Sequence, residues 1–344
     1  NRKNGGFEPG PASAQFGIAY LLDLEGDDIY RTHKPGLGSA TFGVAWLYDK
    51  EGDDKYDAYR NSQGFGRWGI GILQDDDGKD EYRGFSQVQG CGLTAGFGGL
   101  IDSAGDDLYE ANDTVIEFAS PQTAEHNVSM AQGAGYGVRH DYLSGISLSG
   151  GIGILYDKQG DDIYKCGVFG QGTGYWQSIG ALWDDSGNDS YHGVWYVQGA
   201  AAHFAIGYLE DGNGNDTYTG TTNMAQGAGH DFSTGYLLDH AGDDVYTAPN
   251  LSLGGGNANG IGVFFEAAGN DRYTSRGTTL GKARPSTAGS IRERGLSLGL
   301  FIDLGGTDTY PDSADWAKNG ERKANWTDRR PTPAESQLGI FFDN

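Results

Sequence analysis

This chain is poor in the residues and patterns that many chemistries and folds require. Cysteine occurs twice and methionine twice among 344 residues, and proline nine times. Cys91 and Cys166 fall at unrelated positions of the repeat described below, so no disulfide between them is expected. Basic residues number 24 against 47 acidic ones, leaving a formal charge of −23. That balance argues against nucleic acid and anionic membrane surfaces as partners, and favours cations or a basic protein surface. No apolar stretch approaches the ~18 residues that a membrane-spanning helix needs, so membrane insertion is not expected. No segment sustains apolar positions at helical spacing. A nucleophile elbow, a phosphate loop, an HExxH motif and zinc-type Cys/His spacing are also missing. The chain starts at Asn1 rather than Met, which reads as a processed or excised chain, and a processed one is expected to be exported.

Glycine is abundant instead, at 60 residues, more than twice ordinary usage. Glycine weakens helices and strands unless each copy has a special backbone role, so this excess points to a punctuated repeat. The aromatic content of 12% and hydrophobic content of 37% are enough to fill a core. The motif Asp/Glu-x-x-Gly-x-Asp-x-Tyr occurs ten times, with glycines at 26, 52, 78, 105, 160, 187, 214, 242, 269 and 306. At most steps that numbering advances by 26, 27 or 28, and the exceptions are steps of 55 and 37. Between the turns runs a second signature, Gln-Gly, at Gln63, Gln89, Gln132, Gln171, Gln198 and Gln226. Apolar runs such as Ile18 to Leu22, Val44 to Tyr48 and Ile152 to Tyr156 are only four to six residues long and read as strands.

A unit of this size holding two or three short strands cannot bury its own apolar face and must stack on neighbours. The expected fold is all-β, a parallel β-helix or β-solenoid of 11 to 12 coils, each as long as one motif step of 26 to 28. It would occupy residues 1–310, with residues 311–344 as a C-terminal extension, cap and final partial coil. Propeller blades need about 40 residues, so a propeller fits less well. Stacking predicts ladders about 4.8 Å apart. The motif tyrosines would form an inward column, and the glutamines an amide ladder along the axis.

The acidic turn sets an electrostatic problem. The motif opens with Asp in nine copies and with Glu266 in one, and its last Asp is present in all ten. Turn chemistry explains Asp and Gly at any one corner. Stacked like charges about 5 Å apart nevertheless repel by about 0.8 kcal/mol each even at the dielectric of water. Backbone amides or a cation must compensate them. Ca²⁺, which takes six to eight oxygen ligands, suits these residue types. The candidate ligands are Asp23, Asp28, Asp49, Asp54, Asp102, Asp107, Asp157, Asp162, Asp184, Asp189, Asp211, Asp216, Asp239 and Asp244. The position before the last Asp varies, and Lys79 and Thr307 mark the coils where a cation is least expected.

Stretches such as Gly212-Asn-Gly-Asn-Asp216 and Gly187-Asn-Asp189, each followed two residues on by Tyr, resemble the RTX calcium-binding β-roll, whose Gly-rich nonapeptides hold Ca²⁺ between turns. The resemblance implies Ca²⁺ and an extracellular setting. It covers one corner of each coil, since RTX repeats recur every nine residues and this motif once per 27.

Breaks in the repeat are where specific function is sought. Gln132 stands midway between Asp107 and Asp157, and the excess of the two intervals over those of other coils sums to one coil. The segment 110–150 therefore reads as a degenerate coil, with two loops as the alternative. The second break is a basic tail: residues 272–330 hold 11 of the 24 basic residues, including Arg284, Arg292, Arg294, Arg329 and Arg330, with Trp316 and Trp326 close by. It reads first as an end cap and second as a docking site for an acidic partner.

Aligning the coils on Gln-Gly lines up Tyr136, Tyr175, Trp176, His203 and His230 as one face that suits a polysaccharide. The expected function is a secreted or cell-surface structural or binding solenoid: a scaffold, an adhesin-like module or a subunit of an extracellular assembly. Its partners would be other proteins of that assembly or a polysaccharide. The alternative is a carbohydrate-active β-helix enzyme, a lyase or hydrolase. No regular Thr-x-Thr face of the antifreeze kind occurs. Sequons at Asn127 and Asn325 leave the host open.

Overall fold

Three short strands per unit leave most backbone N–H and C=O groups without partners inside the unit, so each coil pairs with the ones before and after it. A computed structural model describes residues 10–284, 286, 289–324 and 337–344. In it the chain winds as a parallel β-solenoid of about ten turns. Each coil adds one strand to each of three sheets, as Gly66–Arg67, Ile70–Gln74 and Glu81–Gly84 do. The sheets hold ten, twelve and eleven strands in that order.

Register is strict. Along the second sheet the inward positions repeat small residue, Leu or Phe, then carboxylate, so Gly153, Leu155 and Asp157 pair with Gly180, Leu182 and Asp184. Leu47, Leu73, Leu100, Leu155, Leu182, Leu209 and Leu237, continued by Phe264, Phe301 and Phe341, form a fully buried column. Facing it stand the motif tyrosines. Tyr30 to Tyr273 pair coil to coil on the third sheet, and Tyr310 stacks on Tyr273. Successive rings lie 4.7 to 5.2 Å apart and within 13° of parallel. The inward tyrosine column expected from the repeat is therefore present. The glutamine amide ladder is not. Gln63 Nε2 donates to the carbonyls of Tyr56 and Arg83, at 2.6 and 3.1 Å, and Gln132 Nε2 donates to those of Tyr109 and Lys165. Backbone carbonyls take these donors, and Oε1 of Gln63, Gln89, Gln132, Gln171, Gln198 and Gln226 is left without a hydrogen-bond partner.

Two glycine positions per coil are sterically compelled. At the acidic turn Gly52 has φ of +151°, and a Cβ there would sit 1.9 Å from the carbonyl oxygen of Gly26. After the glutamine, Gly64 has φ of +73°, and its Cβ would sit 1.9 Å from the carbonyl oxygen of Gly99. Any side chain at either point would wedge the coils apart.

Register also corrects the coil count. Phe97 pairs with Ile152, and Tyr109 with Tyr164. The interval from Gly105 to Gly160 is thus a single coil carrying two insertions, not two periods with a degenerate coil between them. That lowers the expected 11 to 12 coils to about ten. One insertion leaves the third sheet after Ala111 and rejoins at Val128–Ala131, and the other runs between Tyr136 and Ile152. Asn127 knits the first. Its Oδ1 accepts the amides of Glu117 and Phe118, and its Nδ2 donates to the carbonyls of Asn112 and Val115. Asn127 is fully buried, so its sequon is not presented to solvent.

At the C-terminal end, Arg322–Ala324 lies antiparallel on Gln337–Asp343, and Trp316 packs edge-on against Phe341 at 5.3 Å. The Asn325 sequon, Trp326, Arg329 and Arg330 lie outside the described residues. Cys91 and Cys166 are free and buried in separate clusters.

Candidate metal centre and binding face

The acidic corner is built by two columns of carboxylates meeting inside the solenoid. The second sheet ends on the first Asp of each motif, which is why Asp157, Asp184, Asp211, Asp239, Glu266, Asp303 and Asp343 pair in register. The third sheet starts just after the last Asp. Both groups are buried from Asp49 and Asp54 onward, while Asp23 and Asp28 are half-buried in the first coil.

Each carboxylate has one oxygen occupied. The hydroxyl of Tyr109 donates to Asp157 Oδ2 at 2.5 Å, and that of Tyr164 donates to Asp184 Oδ2 at 2.7 Å. The same link joins each motif tyrosine to the coil after it, ending with Tyr310 and Asp343. The last Asp instead accepts a backbone amide: Asp107 N–H donates to Asp162 Oδ1, and Asp162 N–H to Asp189 Oδ1, both at 2.6 Å. This ladder ends at Asn319, whose Oδ1 receives the amide of Asp308 at 2.8 Å. Asn319 thereby supplies the acceptor that a further coil would have provided.

Most of the remaining oxygens are orphaned, while Oδ1 of Asp49, Asp75, Asp102, Asp157 and Asp303 also accepts a nearby backbone amide. Oδ2 of Asp54, Asp80, Asp107, Asp162, Asp189, Asp216, Asp244 and Asp271 is buried without a hydrogen-bond partner, as is Oδ1 of Asp184, Asp211 and Asp239. They converge. One oxygen each from Asp107, Asp157 and Asp162 lies within 4.8 Å of the other two, and Asp162, Asp184 and Asp189 repeat the arrangement one coil on. Burial pushes these carboxyls well above the ordinary carboxylate range, and neighbouring carboxylates push Asp162 and Asp80 further. A buried anion must be paired, protonated or bound to a cation. Two carboxylates per coil are balanced by one divalent ion per coil, and an all-oxygen donor set matches a hard cation such as Ca²⁺. The residues present fit the group.

The position before the last Asp lies outside this cluster. Asp53, Asp106, Asp161, Asn188 and their equivalents form an exposed ladder in which the side-chain oxygen accepts the amide of the next coil, and Lys79, which donates its amide to Asp53 but has no side-chain oxygen, interrupts it. Lys79 therefore does not exclude a cation. Asp75 and Asp80 of its coil converge with Asp54, and both were left out of the candidates drawn from sequence. Their motif spelling was the signal that could have identified them.

The aromatic and histidine face is divided by the structure. Tyr136, Tyr175 and His230 share one half-buried column of the first sheet, with Ala202 between the last two. Trp176 and His203 instead occupy the following corner in left-handed conformation, with φ of 57° and 65°, and are buried. The second insertion lies over them: Arg139 stacks on Trp176 at 5.1 Å and reaches His203 Nε2 at 2.6 Å. Since Arg139 can only donate, His203 carries its proton on Nδ1 and donates to Asp231 Oδ2 at 2.5 Å. Arg292 pairs with the other oxygen of Asp231. Against the burial that would raise it, bonds from His203 and Arg292 hold the Asp231 carboxyl below the usual range. Burial, with the neighbouring His203, lowers His230 to about 4, so its ring is neutral at physiological pH. Beside Tyr136 and Tyr175 a cavity of about 200 Å³ opens between the insertions, lined also by Gln122, Arg139, His140 and Tyr142. Sequence alignment did not single out Arg139 and did not join it with Asp231 and Arg292, because the partners they link lie in different coils.

Comparison with protein-family models, curated proteins and solved structures finds no match to this chain. Its functional reading therefore rests on geometry.

Proposed function

We propose that this chain is a structural and binding rod of an extracellular or cell-surface assembly, with its acidic corner occupied by a file of Ca²⁺ ions. The carrying observation is the file of buried carboxylate trios, repeated from coil to coil, whose oxygens lie within 4.8 Å of one another and whose members mostly keep one oxygen without a hydrogen-bond partner. Asp107, Asp157 and Asp162 would hold one ion, and the next coil's carboxylates another. The ion would supply charge compensation and tie successive turns together. Sites of extracellular modules fill at roughly 0.1 to 1 mM calcium, and occupancy in that range is what the proposed exported setting requires. Thermal melting with about 1 mM CaCl₂ and with excess EDTA tests the reading. A midpoint roughly 10 °C or more lower in EDTA and restored by calcium is expected, and a midpoint unmoved by chelation would remove the ion.

A second reading concerns ligand. Tyr136, Tyr175 and His230 standing in one column favour a polysaccharide running along the first sheet. Affinity electrophoresis through acidic and neutral polysaccharides would show retardation that a Tyr175→Ala variant loses. Product release from those glycans would turn the reading toward the enzymatic alternative, and unchanged mobility in all of them would end it.

A further inference from the structure

The outer side of the second sheet is apolar along its whole length. One outward column runs through Ile18, Val44, Ile70, Ile152, Ile179 and Ile206, and these six are 40 to 86% exposed. The next column includes Tyr20 and Trp46, 56% and 40% exposed, and further along Tyr208 and Tyr236. Among the described outward positions of the parallel strands, Glu210 is the one charged side chain. It is engaged by Trp183 Nε1 and His240 Nε2. A parallel sheet that is apolar on both sides ordinarily has both sides covered. Continuous exposed patches of this extent mark interaction surfaces.

The patch can be sized. Twelve strands less the antiparallel one leave eleven. At about 4.8 Å per strand and about 3.3 Å per residue, five-residue strands make a rectangle on the order of 800 Å². A standard interface takes about that area from each partner.

Charge distinguishes its two long edges. On the edge toward the first sheet, Arg67 lies over the Trp68 ring at 5.7 Å, Arg139 over Trp176 at 5.1 Å and Arg292 over Phe232 at 5.1 Å. The opposite edge leads into the acidic corner, with Asp76 and Asp185 held by Tyr48 and Tyr156.

We propose that this face is covered by the same face of a second copy of the chain. The two-fold axis would run along the rods, so that they lie side by side in the same direction. That operator reverses the strand direction across the interface, and so sets the arginine edge of each copy over the acidic edge of its partner. The antiparallel alternative would bring the two acidic edges together. The area, the flat apolar surface and the paired edges together select a second copy as the occupant.

Light scattering and sedimentation of the full chain test this. The unaltered protein at micromolar concentration is expected at about twice the 36.6 kDa monomer mass. Ile152→Lys combined with Ile179→Lys, both outward, should give the monomer mass with circular dichroism and melting midpoint retained. A monomeric unaltered protein overturns the proposal, as does a folded lysine variant that stays dimeric. If the monomer co-sediments with a flat polysaccharide or with lipid vesicles, the face belongs to that surface instead. Arg67→Glu and high salt (about 1 M NaCl) should each weaken the dimer roughly tenfold or more. A dimer indifferent to both overturns the parallel arrangement.

Discussion

At the scale of single residues, the motif tyrosine couples the apolar core to the acidic corner. Its ring belongs to the stacked column, while its hydroxyl satisfies an oxygen of a buried carboxylate in the following coil. Tyr109→Phe keeps the ring and removes the bond to Asp157 Oδ2. A buried acceptor left alone costs about 1 to 3 kcal/mol, so the variant should unfold at lower denaturant with an unchanged slope. Urea titration followed by circular dichroism measures this, and an unmoved midpoint would mean that the hydroxyl contributes nothing. These roles were only partly legible in the sequence. The invariance of Tyr and Asp across ten copies pointed to inward, stacked positions. It could not reveal that the hydroxyl of one coil reaches the carboxylate of the next, since that link depends on the rise between coils and on which way each strand end faces.

At the scale of elements, the insertion between Tyr136 and Ile152 replaces a corner that the two adjacent coils turn in three residues. Thr94-Ala95-Gly96 joins Leu93 to Phe97 in the coil before, and Trp176-Gln177-Ser178 joins Tyr175 to Ile179 in the coil after. The sheets pass through this coil in unbroken register, so the insertion does not hold up the solenoid. Replacing residues 137–151 by Thr-Ala-Gly should leave a folded protein with its β signature intact. Trp176 and His203 should become exposed, because Arg139 is lost. A red-shifted tryptophan emission and faster solvent exchange of the His203 ring proton by NMR would record this, whereas collapse of the fold would show that the insertion is a strut. The same corner explains the change in period. Gly66 to Ile70 spans four positions, whereas Gly174 to Ile179 spans five, which makes the later coil one position longer.

At the scale of the whole molecule, the acidic corner makes stability a function of both pH and divalent ions. The buried carboxyls of Asp54, Asp107, Asp189 and Asp244 are raised above their ordinary value of 3.8, with burial the first cause. A raised carboxyl holds its proton more tightly folded than unfolded. It adds stability when the proton is on, and loses it as pH rises from 3.8 through the folded value. Without divalent ions the melting midpoint should therefore fall steadily between about pH 5 and pH 9. Calcium favours the deprotonated ligands, so it should flatten or reverse that slope. Melting across a series of pH values with and without calcium checks it. A midpoint that rises with pH in EDTA would contradict the buried geometry, and identical slopes would contradict the ion.

By itself, the sequence determined the repeat, the solenoid class and the tyrosine and carboxylate columns, because a unit too small to fold alone must align equivalent residues with its neighbours. The register across the interrupted coil was decided only in three dimensions, since two insertions whose lengths sum to one period look the same as a missing turn. Tertiary structure also decided which carboxylate oxygens are orphaned. Turn chemistry assigns residue types to a corner, but hydrogen-bond accounting needs the donors of adjacent coils. The outer apolar face was hidden in the same way. Short runs such as Ile18 to Leu22 carry apolar residues at successive positions, and only the pleat sorts them into a buried side and an exposed one.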